Sequence, residues 1–171
     1  MTTGRRAHLH HLARRFVGAL SSVEPRINDA RWVLGVLLPS EHALFVRMSA
    51  ADRRHAIDVA RRVEGDATIL GERPVLAAAL LHDVGKVDAA LGTFARAGAT
   101  VVVGIVGRRR CIRGDGRLAR YLRHPDIGAD LCSAAGSDGL TVAWAREHHL
   151  RAGRWSVPHA IGVALKAADD D

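Results

Sequence analysis

Aromatic residues, cysteines and long apolar runs are all scarce in this chain of 171 residues. Aromatic residues make up 4% of it, so alanine, leucine and valine must fill the core, which suits closely packed helices. The two cysteines, Cys111 and Cys132, form no CxxC pair and are too few for a disulfide framework. We therefore expect a reducing, cytoplasmic setting.

No apolar stretch approaches the roughly 20 residues that a membrane-spanning helix needs. The stretch 32–39 (WVLGVLLP) is too short and ends at a proline. The first residues carry charges and histidines without the apolar segment of a secretory signal. These features predict no membrane partner.

Lysine is nearly absent, although basic residues give the chain a formal net charge of +7. Of 25 basic residues, only Lys86 and Lys166 are lysines. Such a charge attracts phosphate-bearing partners. However, the arginines are scattered, so compositional bias explains them better than a dedicated nucleic-acid partner does. The run 108–110 is the exception: it can guide an anionic substrate or simply be a solvated loop, and the sequence leaves both open.

The chain has the length and the 48% hydrophobic content of one globular domain. We predict an all-α fold, in which an N-terminal helical extension (residues 1–48) packs on a helical core (residues 49–171). Residues 88–106 are ambiguous, because the β-branched run 100–106 is also typical of a strand. A buried helix fits the helical surroundings better.

The core begins with a clear helix start signal. Ser49 is a good N-cap and Asp52 follows three residues later. His55 then shares an apolar stripe with Val59 and Val63, so its side chain is expected to point inward.

Four later segments also place histidine or aspartate beside apolar stripes. A helix from Pro74 to a glycine cap at Gly85 would carry His82 and Asp83 in its last turn. His124 precedes a proline and should lie just before a helix that ends at Gly136.

Two more helices are predicted in the last third of the core. Ser137 is expected to cap a helix whose inward stripe includes Trp144 and His148. Pro158 is expected to begin the last helix, which places Asp169 on the inward face.

Single histidines are usually structural, but the segment 80–86 (LLHDVGK) puts a histidine beside an aspartate at a helix end. Imidazole and carboxylate are the ligands of hard and borderline divalent metals, and the two carboxylate oxygens can bridge two metals. Two metals about 3.5–4 Å apart can clamp a phosphate and generate its attacking hydroxide. A helical bundle is well suited to assemble such ligands from several helices.

The ordered set H…HDxGK…HPxxG…HH…D, within residues 49–171, resembles the HD superfamily of metal-dependent phosphohydrolases, and in particular its dinuclear HDIG and HD-GYP branch. The resemblance implies an HD-domain helical bundle and two divalent metal ions, with Fe, Mn, Mg, Co and Ni all compatible. It implies one metal held by His55, His82, Asp83 and Asp169, and a second held by Asp83, His124, His148 and His149.

The resemblance also implies catalytic roles for the bridging Asp83 and for Lys86. Lys86 would stabilise negative charge on the phosphate or help to protonate the leaving oxygen. The alternative is an exposed lysine that is favoured by the dipole at a helix C-terminus.

The chain departs from the HD-GYP pattern after His149, where it reads LRAGRWSVP. The glutamate and the GYP signature are missing, and Glu147 precedes the histidine pair. This argues against cyclic-di-GMP as the specific substrate. At the other end, Asp170 or Asp171 could replace Asp169 as a ligand, but the apolar stripe of the last helix favours Asp169.

The sequence therefore predicts a phosphohydrolase or phosphodiesterase that acts on an anionic phosphoester, a small molecule of the nucleotide or cyclic dinucleotide class. One alternative is an HD-type di-iron oxygenase acting on a small polar substrate. Another is a catalytically inactive binding module, which the complete ligand set disfavours. The sequence leaves a homo-oligomer open. A histidine cluster near the N-terminus (His8, His10 and His11) is expected to be solvated surface.

Overall fold

The computed structural model describes residues 23–65, 72–89 and 116–170, and all regular structure in these ranges is helical. The α-helices are α1 (Ile27–Val36), α2 (Pro39–Phe45), α3 (Ala50–Glu64), α4 (Arg73–Leu81), α5 (Arg117–Leu122), α6 (His124–Ala134), α7 (Gly139–Glu147) and α8 (His159–Asp170). Short 3₁₀ segments occupy Val84–Ala89 and Ala152–Arg154. The predicted all-α class is confirmed for these ranges.

Several sequence predictions fall outside the described residues. They concern the ambiguous segment from residue 90 to 106, the arginine run 108–110, Cys111, Asp171, and the histidines His8, His10 and His11.

Helix α3 begins as its sequence predicts. The Ser49 hydroxyl accepts a hydrogen bond from the Asp52 backbone N–H at 3.1 Å and donates one to the Asp52 carboxylate at 2.6 Å. Val59 and Val63 are buried, and His55, on the same stripe, is half-buried. The predicted inward face of this helix is confirmed.

Helix α4 is the central element of the fold. Every residue from 75 to 81 is buried, and the helix contacts α1, α2, α3, α7 and α8. A helix that is covered on all sides must be apolar on all sides, which the run VLAAALL satisfies. The end of α4 is therefore held firmly in the middle of the bundle.

Helix α4 ends earlier than predicted, at Leu81, so His82 and Asp83 lie in the turn that follows it. Gly85 does not cap the helix; it lies in a 3₁₀ segment packed against the start of α6. A Cβ at Gly85 would lie 2.0 Å from the His124 carbonyl oxygen and 2.6 Å from the Gly128 nitrogen. Glycine is required at position 85 because a residue with a side chain could not bring its backbone this close to the backbone of α6.

The α6–α7 connection confirms one prediction and corrects another. Gly136, with φ of 73°, follows the end of α6 in the left-handed conformation that glycine tolerates. The cap of α7 is Asp138, whose carboxylate accepts a hydrogen bond from the Leu140 N–H at 2.8 Å. Ser137 was predicted for this role, but it lies one residue too early because α7 begins at Gly139.

Helices α1 and α2 contribute Val33, Phe45 and other apolar side chains to the same core as α3 and α4. The boundary at residues 48 and 49 stays a prediction. Within the described ranges, no helix has both the length and the apolar character needed to cross a membrane.

We expect opposite effects when alanine replaces two glycines. Gly85→Ala should lower the free energy of unfolding by about 1–3 kcal/mol or more, because its Cβ meets rigid backbone. The matched control is Gly35→Ala in α1, where a Cβ meets nothing within 4 Å. That change should raise the free energy of unfolding by about 0.5 kcal/mol. Urea unfolding of metal-free protein measures both, and equal effects would contradict the close approach at Gly85.

Candidate metal centre

Seven side chains of the predicted set converge in the middle of the bundle, in two groups. Within each group one ligand atom per residue lies within 4.8 Å of the others. The first group consists of His55, His82 and Asp169, and the second group consists of Asp83, His124, His148 and His149. The buried cluster can hold a metal ion.

Most of these residues lie at helix ends. His82 and Asp83 follow α4, His124 is the first residue of α6, and His148 and His149 follow α7. Consecutive residues of an α-helix point about 100° apart. A turn is therefore needed for two neighbouring residues to serve one centre.

Asp83 lies between the two groups. Its Oδ1 is 3.4 Å from His124 Nε2 and 3.7 Å from His148 Nε2. Its Oδ2 faces the other way, 3.4 Å from His82 Nε2. The two oxygens of this one carboxylate thus face separate sets of imidazole nitrogens.

Asp169 completes the first group. Its Oδ1 lies 3.0 Å from His55 Nε2 and 3.6 Å from His82 Nε2. Asp170 pairs with Lys166, at 2.5 Å, and the same ammonium group lies 3.8 Å from Asp169 Oδ2. The structure thus brings Asp169, and not its neighbour Asp170, into the cluster.

In the second group, His149 Nε2 lies 3.2 Å from His124 Nε2. His149 is exposed, whereas His124 and His148 are buried. Two imidazole nitrogens this close need a proton or a cation between them, because two lone pairs would repel each other.

Backbone carbonyls fix the orientation of three imidazole rings. The Nδ1 atoms of His82, His124 and His148 each donate to the carbonyl three residues earlier, at 2.8, 2.7 and 3.0 Å respectively. A carbonyl only accepts, so the proton lies on Nδ1 and the lone pair of Nε2 is directed into the cluster. This support is typical of metal-binding histidines.

Unpaired buried atoms provide a test of whether a metal fits. Within the described part of the chain, the Nε2 atoms of His82 and His148 are buried and make no hydrogen bond. Each such atom costs about 1–3 kcal/mol. The donor separations of 3.0–3.7 Å are close to the ligand–ligand distance of about 3.0–3.4 Å expected around a metal with bonds near 2.1 Å. Donor chemistry and spacing both fit a divalent metal.

The ionisable groups of the cluster also shift one another's pKa values. Burial alone would raise the pKa of Asp83, but the positive charge of Lys86, followed by the neighbouring His82, holds it well below its ordinary value. Burial would lower the pKa of His82, but the charges of Asp83 and Asp169 raise it. Burial likewise opposes ionisation of Asp169, whose pKa is nevertheless lowered by a hydrogen bond from His55. Both carboxylates are therefore anionic and attract a cation.

Lys86 is not the exposed lysine of the alternative interpretation. Its Nζ donates a hydrogen bond to Asp83 Oδ2, and its side chain is only 17% exposed. Burial would lower the pKa of Lys86, but the charge of Asp83 raises it. Lys86 thus provides a fixed positive charge at the centre.

Other residues singled out in the sequence have structural positions. Trp144 is a core residue, 2% exposed, whose ring lies 6.5 Å from that of His148. Burial, followed by the charge of Glu41, raises the pKa of the Cys132 thiol to about 12. Cys132 is therefore protonated at neutral pH and is no nucleophile.

The sequence interpretation missed Tyr121, whose ring lies beside that of His124 with centroids 5.7 Å apart. Its backbone carbonyl also accepts the His124 Nδ1–H bond. Tyr121 precedes His124 by three residues, and this spacing predicts the contact only if the backbone stays helical between α5 and α6.

We expect the pH dependence of stability to reveal the placement of His149. Loss of water around the part of its ring that faces the cluster, then the neighbouring His148 and His124, lower its pKa to about 3, although the rest of the residue is exposed. An unfolded histidine titrates near 6.5, so between about pH 3 and 6.5 the unfolded chain binds a proton that the folded chain does not. Stability therefore rises with pH through this window.

Urea unfolding with a chelator present, at pH values from 5 to 8, tests this expectation. His149→Ala should reduce the rise in unfolding free energy between pH 5 and 6.5, while the two curves run parallel above pH 7. Equal slopes below pH 6.5 would show that His149 is solvated like an unfolded histidine.

The helical arrangement and its buried histidine–aspartate cluster are compatible with an HD-like fold. Comparison with protein-family models, with curated proteins and with solved structures gives no match to this chain.

Proposed function

We propose that this chain is a metal-dependent phosphohydrolase of the HD superfamily, with a centre for two divalent metal ions. Its substrate is an anionic phosphate ester of the nucleotide or cyclic dinucleotide class. The observation that carries the proposal is the position of Asp83, whose two oxygens face two different donor groups. A carboxylate in that position is suited to bridge two metals.

The two donor groups divide the ligands. One metal would be held by His55, His82, Asp169 and Asp83, and the other by His124, His148, His149 and Asp83. When bound, divalent metals supply Lewis acidity, which polarises a phosphoryl oxygen and lowers the pKa of an attacking water.

The chain itself supplies orientation and a protected environment. His82 and His148 are almost fully buried, and their carbonyl-anchored rings hold their lone pairs in place before a ligand arrives. Electrostatic interactions are stronger in such a water-poor site than in bulk solvent.

The exposed members of the centre indicate where a substrate enters. His149 is exposed and the His55 side chain is 27% exposed, whereas the other histidines are buried. The phosphate ester would therefore reach the centre past these more exposed rings, and its phosphate would come within the field of Lys86.

Lys86 favours an anionic substrate. Its ammonium group already compensates Asp83, and when negative charge builds on the phosphate oxygens, the same group stabilises that charge as well. An oxygenase that activates dioxygen and acts on a neutral polar substrate would depend much less on the positive charge of Lys86.

Asp83→Ala should abolish hydrolysis, because it removes the only carboxylate of the described residues that faces both groups. The apolar positions of α4 are untouched, so the far-UV circular dichroism should stay that of the wild type. The assay uses p-nitrophenyl phosphate, bis-p-nitrophenyl phosphate and a panel of nucleotides and cyclic dinucleotides, with Mn²⁺ or Fe²⁺. Asp170→Ala is the matched control and should remain active. Turnover by Asp83→Ala with all metal chelated would overturn the metal-hydrolase proposal.

Lys86→Ala should lower the turnover of the best phosphoester by roughly 10²-fold, the size expected for losing one donor to the transition state. Metal content, measured by elemental analysis, should be unchanged. The control is Arg146→Ala, which removes a cation outside the cluster; its ion pairs with Asp126 and Asp130 are exposed and worth little. Assays with and without oxygen separate the oxygenase alternative: activity that required oxygen and survived Lys86→Ala would favour it.

A further inference from the structure

The loop that follows the histidine pair is fastened to the helix that precedes it. Glu147, the last residue of α7, accepts two hydrogen bonds from Ser156. The Ser156 backbone N–H donates at 2.6 Å, and its hydroxyl donates at 2.7 Å. Hydrogen bonds to a carboxylate are stronger than neutral ones, so this contact closes the loop firmly.

Neighbours of Ser156 fix the rest of the loop. The Trp155 ring stacks edge-on against Trp144, with centroids 5.4 Å apart, and its Nε1 donates to the Leu150 carbonyl at 3.2 Å. The same ring lies over Gly162 of α8, where a Cβ would come within 2.5 Å of it. Val157 is buried. The loop thus connects α7 to α8 through defined contacts.

His149 lies inside this closed loop and is held differently from its neighbours. Within the described residues, no backbone carbonyl anchors its Nδ1 as carbonyls anchor His82, His124 and His148. The nearby backbone bond is that from Leu150 N–H to the Glu147 carbonyl, at 2.7 Å. The exposed imidazole therefore takes its position from the turn that begins at Glu147 and from the contact of its Nε2 with His124 Nε2 at 3.2 Å.

We propose that Glu147 is a positioning residue for the second donor group: by holding Ser156 it closes the turn that presents His149. This inference rests on the proposed metal centre. Without the contact, His149 would have to be ordered when the metal binds, and that ordering cost would weaken binding. The first donor group shares no residue with this turn, so its affinity should stay the same.

Calorimetric titration of the chelator-stripped full chain with Mn²⁺ tests the inference without any substrate. Wild-type protein should bind two Mn²⁺ ions. Glu147→Ala should weaken one binding step by about 10–100-fold, the usual effect of losing a residue that supports a metal ligand, and leave the other step unchanged. Glu147→Gln, which keeps an acceptor oxygen for the Ser156 N–H, should lie between them. Glu72→Ala, an exposed glutamate at the start of α4, should behave as wild type.

A double-mutant cycle with His149→Ala tests whether Glu147 affects Mn²⁺ binding through His149. If Glu147 acts through His149, the two losses are strongly non-additive, and Glu147→Ala should weaken Mn²⁺ binding little further in the His149→Ala background. Additive losses would mean a general destabilisation and would overturn the inference. If Glu147→Ala does not fold by circular dichroism, Ser156→Ala, which removes one of the two bonds, takes its place in the cycle.

Two further outcomes separate this inference from the proposed function. Wild-type protein that binds no Mn²⁺, Fe²⁺ or Co²⁺ would overturn the metal centre and the inference together. Two Mn²⁺ ions bound with equal strength by wild type and Glu147→Ala would overturn only the positioning role of Glu147.

Discussion

A buried carboxylate, Asp83, sets the main constraint on this structure. Removing a charge from water costs several kcal/mol unless opposite charge and hydrogen bonds compensate it, and Asp83 is only 4% exposed. The compensation comes from Lys86, three residues later in the chain, and from imidazoles on three separate elements. The ends of α4, α6 and α7 must therefore meet at one point, and the apolar surroundings of α4 hold that point in the interior.

Close backbone contact makes this meeting possible. Gly85 lies so near the start of α6 that a side chain there would overlap the His124 carbonyl. Gly128 provides the matching surface, because a Cβ on it would lie 3.1 Å from the Gly85 nitrogen. The two glycines bring the turn with His82 and Asp83 against His124, and a side chain at Gly85 would push this turn away from His124.

Short-range sequence patterns predicted much of the fold and which residues form the histidine–aspartate cluster. The Ser49 cap, the stripe of His55 and the end of α6 at Gly136 follow from nearby residues alone, and the structure agrees. The early end of α4 and the contact role of Gly85 depend on α6, some 40 residues away, and local patterns do not encode such packing. The sequence left open whether Lys86 lies at the centre or is exposed, since exposed and buried lysines near a helix end look identical in sequence. The binding of two metals stays a prediction.

The centre is rigid on its inner side and adjustable at its rim. The inner imidazoles, His82, His124 and His148, are buried and held by their own backbone carbonyls, so their positions are settled by folding. The rim imidazoles are more exposed and rely on side chains elsewhere: His55 on Asp169, and His149 on the loop that Glu147 closes. An inner set fixed in advance gives a metal ion its geometry. In the proposed hydrolase, the more exposed rim ligands would be the ones able to shift when a phosphate ester binds. In that hydrolase, the loop after the histidine pair, where the chain departs from the HD-GYP pattern, would influence substrate choice through the position of His149, while the inner imidazoles stay in place.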